Sequence, residues 1–385
     1  MPIIQGAITL LLFVFILGTL VILHELGHFV VARLAGIRVH EFGIGFPPRA
    51  RVLRSKGETL YTLNWLPIGG FVRLEGEDGE SSDPRSFAAA RLRTKLVVLV
   101  AGVAMNLLLA FVIFFGIAWL ATPQGRLVIG EVQPGGPAAV AGLVAGDAIE
   151  SIEGVTFDVL PLTRAFGDAR AALRARAGQA VLLGVRRANG TAEEVRVTLR
   201  PPDEAEAKGA TGITIGAFEP TGTYGGHDLL AALGDGAAWT ADAFGLIVNG
   251  LGSLLSSIVT SPTTAPPVTG PVGIAVEIGD VFWQYGSIFT LYVAGLLSAN
   301  LALVNILPFP PLDGGRMLVL VLKAVLGGGG RLLRRFGVPV RGPSAATTIS
   351  IERLAYLVGF VFLFGFLAWI TFFDIARQLG GGGAP

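Results

Sequence analysis

Long apolar runs dominate this chain, and four of them are long enough to cross a bilayer, which takes roughly 20 residues of helix. They cover Ile3 to Leu34, Leu96 to Leu120, Ser287 to Leu307 and Leu354 to Phe373. A fifth run, Gly236 to Val259, carries Asp242 and reads as an amphipathic segment at the membrane interface. Between the second and third runs the pattern changes to short alternating stretches such as Leu127 to Val132, which predict strands. A helix-like stretch follows from Thr163 to Ala177. Ala180 to Arg187 and Glu194 to Leu199 then predict two strands across an Ala188-Asn189-Gly190 turn. Together these make a small α+β domain over residues 126–200, followed by a linker with the interfacial segment over 201–286. The expected fold is a polytopic α-helical membrane protein with four transmembrane helices and one inserted α+β domain.

The loop of residues 37–95, between the first two runs, is unusually apolar. Within it, Gly57 to Glu75 predicts a hairpin, with Tyr61 to Leu66 and Phe71 to Leu74 as strands and Pro67-Ile68-Gly69-Gly70 as the turn. Backbone donors and acceptors cannot stay unpaired in hydrocarbon, so at membrane depth such a hairpin must lie against protein or a water-filled cavity. The alternative is a surface hairpin held to the interface by Trp65 and Phe71. A free edge there could pair with an extended peptide, which makes Tyr61, Leu63, Asn64, Trp65, Leu66, Gly69 and Gly70 the candidate substrate-binding residues.

Charge sets the expected orientation. The 37–95 loop carries Arg38, Arg49, Arg51, Arg54, Lys56, Arg73, Arg85, Arg91, Arg93 and Lys95, whereas no Lys or Arg occurs between Lys208 and Arg316. The positive-inside rule then puts the loops 37–95 and 316–353 in the cytoplasm and the middle segment, with both termini, outside. Counting Gly236 to Val259 as a crossing would place Arg331, Arg334, Arg335 and Arg341 outside, against that rule. The first run lacks a basic leader and a small-residue cleavage site, and is expected to stay as a transmembrane helix.

Composition narrows the class further. A chain with 52% hydrophobic and 15% charged residues is too apolar for a typical soluble protein. A net charge of +1, with no basic run interleaved with aromatics, sets nucleic acid aside as a partner. There is no cysteine, so any metal must be held by His and carboxylate.

Such a set is present. His24-Glu25-Leu26-Gly27-His28 closes the first apolar run, and on a helix positions i and i+4 lie one above the other. Both imidazoles can reach one Zn2+ while Glu25, one residue round, faces the water that zinc activates. The alternative is a polar patch buried against other helices, yet ionisable groups beside an apolar span mark functional sites by default. His40 and His227 fall outside any ligand spacing. A catalytic zinc needs a third protein ligand, and the candidate is Asp313, in Asn305-Ile306-Leu307-Pro308-Phe309-Pro310-Pro311-Leu312-Asp313-Gly314-Gly315. The prolines break the helix and the two glycines allow close backbone approach. The first and third spans run the same way, so His24, His28 and Asp313 arrive at the same depth.

With these motifs together the chain resembles the bacterial site-2 proteases, intramembrane zinc metalloproteases of the PDZ-containing group. The resemblance also covers Pro67 to Val72, Ala101-Gly102-Val103-Ala104-Met105-Asn106, and Gly270-Pro271-Val272-Gly273-Ile274. Within the α+β domain it covers Pro137 to Leu143, Ala145 to Ile149 and Ile152-Glu153-Gly154, which are similar to the bacterial PDZ pattern. It implies one catalytic Zn2+, Glu25 as general base, Asn305 as a donor to the oxyanion or the substrate backbone, and a membrane-associated β-structure that receives an unwound substrate. For Asn305 the alternative is a helix-terminal cap or an interhelical hydrogen bond, and for Asn106 a structural hydrogen bond is expected. The implied substrates are single-span membrane proteins already shortened by a first cut, with peptide contact or size exclusion by the PDZ-like domain. Some members carry two PDZ domains; this chain has room for one. A silent scaffold has no need of Glu25, and a transporter predicts internal repeats that are absent from the sequence.

Overall fold

The computed structural model describes residues 2–55, 57–77, 81–260, 268–335 and 345–379. In chain order these form α1 (Pro2–Leu34), β1 (Val39–Arg54), β2 (Leu60–Leu74), α2 (Leu92–Leu120), β3 (Thr122–Val132), α3 (Pro137–Val140), β4 (Ala148–Ile152) and β5 (Val155–Asp158). There follow α4 (Ala165–Arg174), β6 (Ala180–Arg186), β7 (Ala192–Thr198), α5 (Pro202–Lys208) and β8 (Ile213–Gly225). The last elements are α6 (Leu229–Thr260), α7 (Pro271–Tyr285), α8 (Ser287–Ile306), α9 (Asp313–Arg335) and α10 (Ala345–Leu379). They fall into two compact units, one of Met1–Val112 with Ala243–Pro385 and the other of Ile113–Asp242.

Among the described residues four helices are long and apolar enough to cross a membrane: Ile3–Leu34, Leu92–Leu120, Ser287–Ile306 and Arg353–Leu379. In the first unit, Phe13, Ile16 and Leu20 of α1 pack on Ile278 of α7 and Ala294 of α8. The motif Gly270-Pro271-Val272-Gly273 opens α7, and its glycines have a steric reason. The Asp374 carboxylate of α10 accepts hydrogen bonds from the Gly270 and Gly273 amides at 3.3 and 2.9 Å, satisfying donors that a helix start leaves free. A Cβ on Gly270 would lie 2.8 Å from that carboxylate, too close for it to reach the backbone.

Two connecting regions hold more helix than expected. Residues 201–286, read as a linker with an interfacial segment, contain α6 and α7, and α7 belongs to the helix packing of the first unit. Residues 316–353, read as a loop, are largely taken up by α9 and the start of α10. The glycine run at 327–330 suggests a linker because glycine is a poor helix former, yet the helix continues through it. Arg331, Arg334 and Arg335 fall at the end of α9, while Lys56 and Arg341, used in the charge pattern, lie outside the described residues.

The hairpin also differs from expectation. β1 and β2 pair with each other, antiparallel, and the stretches 60–66 and 71–74 of β2 do not pair together. The first half of β1 lies between them: Phe42 faces both Tyr61 and Val72, Gly43 both Thr62 and Phe71, and Ile44 both Leu63 and Gly70. The second half of β1 turns back along the far side of Tyr61 to Asn64, through Arg54, Val52, Arg51 and Arg49. Residues 67–70 are therefore a crossover rather than a tight turn, with Gly69 at φ +86°. Short-range alternation cannot reveal this, because the strand that separates the two halves comes from upstream. Glu41, buried at the centre, holds the folded sheet together through Arg49 at 2.9 Å, Arg73 at 3.5 Å and the Thr62 hydroxyl at 2.8 Å.

The second unit holds a sheet of six antiparallel strands in the order β7-β6-β4-β5-β3-β8. Its core includes Leu127, Ile149, Ile152, Leu183 and Val197, with Leu173 of α4 closing one face. The sheet extends beyond the expected 126–200, since β8 pairs with β3 from Thr122↔Gly225 to Val132↔Ile213. β8 reads as linker because it carries Gly, Pro and Thr, which an edge strand tolerates. His227, just after β8, lies between two carboxylates, its Nδ1 2.6 Å from Asp235 on α6 and its Nε2 3.0 Å from Asp158 on β5. Burial acts to lower its pKa, but the two aspartates outweigh that and raise it above the ordinary histidine value. A raised histidine pKa in the fold means stability that is complete below about pH 6.5 and is lost as pH climbs through the folded-state value. Thermal unfolding of the full-length protein should show His227→Gln melting below wild type at pH 6, with the gap closing by pH 9; a gap independent of pH would exclude the ion pairs as its cause.

Candidate metal centre and active site

Of the ionisable residues of α1, His24, Glu25 and His28 share one stretch and Arg33 stands in the last turn. α2 lies directly against the stretch from His24 to His28. A Cβ on Gly27 would come 2.4 Å from the Ala101 carbonyl oxygen, and a Cβ on Gly102 would come 2.4 Å from His28 Nε2. Glycine at both positions is therefore what allows two helices to meet with both imidazoles between them. α8 ends at Ile306, where Pro308, Pro310 and Pro311 forbid continuation, and an irregular segment leads to Asp313 as the first residue of α9. Close approach recurs here, since a Cβ on Gly314 would lie 2.2 Å from the Ile306 carbonyl oxygen. On α10, a Cβ on Gly359 would lie 2.1 Å from the Pro310 carbonyl oxygen.

Three ligand atoms converge as a result. His24 Nε2 lies 3.0 Å from Asp313 Oδ2, His28 Nε2 lies 3.2 Å from the same oxygen, and the two nitrogens are 3.1 Å apart. Hydrogen bonds cannot run along all three sides of this triangle: if each imidazole donates to the carboxylate, the two N–H groups face each other. A cation between the three atoms removes the conflict. Donors about 2.0–2.1 Å from a tetrahedral zinc stand about 3.3–3.4 Å apart, close to the observed sides, and a His2Asp set suits Zn2+. The residues thus form a group able to hold a metal ion. His28 Nδ1 donates to the Val98 carbonyl at 2.8 Å, and the Asn106 side-chain amide lies 3.3 Å from His24 Nδ1.

A cavity of about 410 Å³ opens onto this group. His24, Glu25, His28, Asn305 and Asp313 all line it, as do Gly70, Phe71 and Val72 of β2. Among the described residues no hydrogen bond engages the Asn305 side-chain amide. Across the cavity, Arg316 of α9 forms an ion pair with Glu77, just beyond the end of β2. Neither residue stands out in the sequence, because a salt bridge between positions 239 apart has no local signature.

The expected substrate-binding residues separate into two groups. Gly70 lines the cavity, and Gly69 packs beside Val21 of α1 and Phe46. Tyr61, Leu63, Asn64, Trp65 and Leu66 do not line it. Tyr61 packs edge-on against Phe29 at 6.0 Å, and Asn64 is buried, donating to the Ile44 and Gly45 carbonyls. Tyr61 to Leu63 is paired on both sides, so the outer stretches are Arg49 to Arg54 and, beside the cavity, Gly70 to Leu74. The sequence locates the strands but not which of them is outermost.

Comparison with known proteins agrees with this centre. The model of peptidase family M50 matches residues 12–332. The chain is 28% identical to zinc metalloprotease RasP of Geobacillus kaustophilus, covering 95% of this chain and 97% of that protein. It is 27% identical to the regulator of sigma-W protease RasP of Bacillus subtilis, covering 96% of this chain and 98% of that one. The chain belongs to peptidase family M50, the site-2 protease family of zinc metalloproteases.

Proposed function

We propose that the chain is an intramembrane endopeptidase that cuts single-span membrane proteins within or near their spans, after a first cut, in regulated intramembrane proteolysis. The observation that carries this reading is one cavity lined by the His24–His28–Asp313 triangle, by Glu25 and by an open strand edge, in a unit whose helices suit a membrane. His24, His28 and Asp313 would hold one Zn2+. When bound there, zinc supplies Lewis-acid polarisation of the scissile carbonyl and acidifies water. Glu25 takes the proton from the attacking water and returns it to the leaving amine. Asn305, with its amide unengaged, donates to the developing oxyanion or to substrate backbone. The substrate class is anti-sigma factors or remnant signal peptides; the name of the Bacillus subtilis relative, a regulator of sigma-W protease, supports the first.

A transmembrane helix has all its backbone bonds internal and must unwind to expose a carbonyl. The edge at Gly70 to Leu74 supplies partners for the unwound strand, by strand addition beside the catalytic group. The chain lies in the bacterial cytoplasmic membrane with its termini outside and the catalytic group towards the cytoplasm, following the charge pattern. The six-stranded domain is PDZ-like and lies outside, where it excludes substrates with bulky outer domains or binds an exposed peptide end.

Purified wild type and Glu25→Gln should bind equal zinc, with cleavage of a single-span substrate by wild type alone; cleavage by the variant at more than about a hundredth of the wild-type rate removes Glu25 as base. Strand addition predicts a second result. Neighbouring residues direct their N–H groups to opposite edges, so of Phe71→Pro and Val72→Pro one loses a donor on the open edge. That variant should keep its zinc and lose at least tenfold in cleavage; if both cleave as wild type, the substrate does not pair there. Excision of residues 122–225, which takes β8 together with β3, should give cleavage of an untrimmed substrate if the domain excludes by size. Loss of cleavage of a trimmed substrate would assign it to recruitment instead.

A further inference from the structure

Asn106 of α2 is fully buried, and its side chain ends 3.3 Å from His24 Nδ1. An Asn amide can be turned end for end without change of shape, so its orientation is decided by the hydrogen bonds it has to make. With Nδ2 towards the ring, Oδ1 is enclosed without a partner and His24 Nδ1 has to accept. That state of the ring conflicts with the rest of the site. Nε2 of His24 faces His28 and Asp313, and an imidazole whose Nε2 lone pair serves a cation carries its proton on Nδ1. Nδ1 must then donate. His28 already follows this rule, since its Nδ1 donates to the Val98 carbonyl on the same helix.

We propose that Asn106 turns Oδ1 towards His24 and accepts the Nδ1 proton, making it a positioning residue that fixes the tautomer and ring plane of the first zinc ligand. α2 then supplies both outer hydrogen bonds, from the Val98 carbonyl to His28 and from the Asn106 side chain to His24, one helical face orienting two ligands of another helix. The fully buried amide, so placed, gives a polar residue inside an apolar span a reason beyond helix packing. A second contact at the same residue is separable from this role: the Ser298 hydroxyl of α8 donates to the Asn106 backbone carbonyl at 2.7 Å, not to its side chain.

The inference rests on the reading of His24, His28 and Asp313 as zinc ligands, and the test keeps the two apart. Zinc affinity is measured on the full-length, detergent-solubilised protein by competition with a chromogenic chelator, with the melting temperature of each metal-free variant as the check on folding. Asn106→Leu should bind zinc about 10–100-fold more weakly than wild type. Asn106→Asp, which can only accept, should bind at least as tightly as wild type, and Ser298→Ala should stay within twofold. Asn106→Leu within twofold of wild type overturns the proposal. So does Asn106→Asp as weak as Asn106→Leu at a wild-type melting temperature, because a donor to Nδ1 would then be what the site needs. If Asn106→Asp melts early, the Asn106→Leu affinity alone decides. Wild type without zinc affinity would instead overturn the assignment of the ligands themselves.

Discussion

Placing a carboxylate against two imidazoles among apolar helices is costly unless the charges and donors offset one another, and much of this architecture answers that cost. The three ligand atoms can meet only where backbones come unusually close. Gly27 and Gly102 remove the side chains that would separate α1 from α2, and Gly314 and Gly359 do the same around the segment that delivers Asp313. Asp374 applies a related device at a distance from the metal, reaching the start of α7 through a pair of glycines. Glycines at these positions mark close contacts rather than gaps in helix propensity.

The folded sheet answers a second constraint, the pairing of backbone polar groups in an unusually apolar stretch of chain. β1 and β2 pair most of their length by doubling back on each other, with buried Glu41 neutralised by arginines from two segments. Two outer stretches keep a free side, Arg49 to Arg54 and Gly70 to Leu74, and the second lies on the cavity that contains Glu25. The position of that edge depends on the path of β1, which starts upstream of the residues that looked like a hairpin. Arg316 and Glu77 then tie the end of this strand to the helix that begins with Asp313.

Local pattern made a large part of this legible in the sequence. Apolar length gave the four long helices, and the i, i+4 spacing of His24 and His28 with the proline-broken segment before Asp313 named the residues that converge. Features requiring pairing between distant positions were not legible. β8 looked like linker because its partner β3 is some ninety residues upstream, and Tyr61 to Leu66 looked like an edge because β1 was not seen beside it. α9 was missed because four glycines imitate a loop when helix propensity is weighed without neighbours. Asn106 was visible as a polar residue in a span, but its approach to His24 depends on a helix contact that no local window contains.

Asp313 is at once a candidate ligand and the first residue of α9, and it stands 289 positions along the chain from His24. An ion shared by these residues is therefore also a cross-link, closing a loop that encloses most of the polypeptide, the inserted domain included. The unfolded chain would lose conformational freedom to such a clasp much as it does to a disulfide, in a protein without a single cysteine. The catalytic cofactor and the fastening between the two ends of the membrane unit are then one and the same ion.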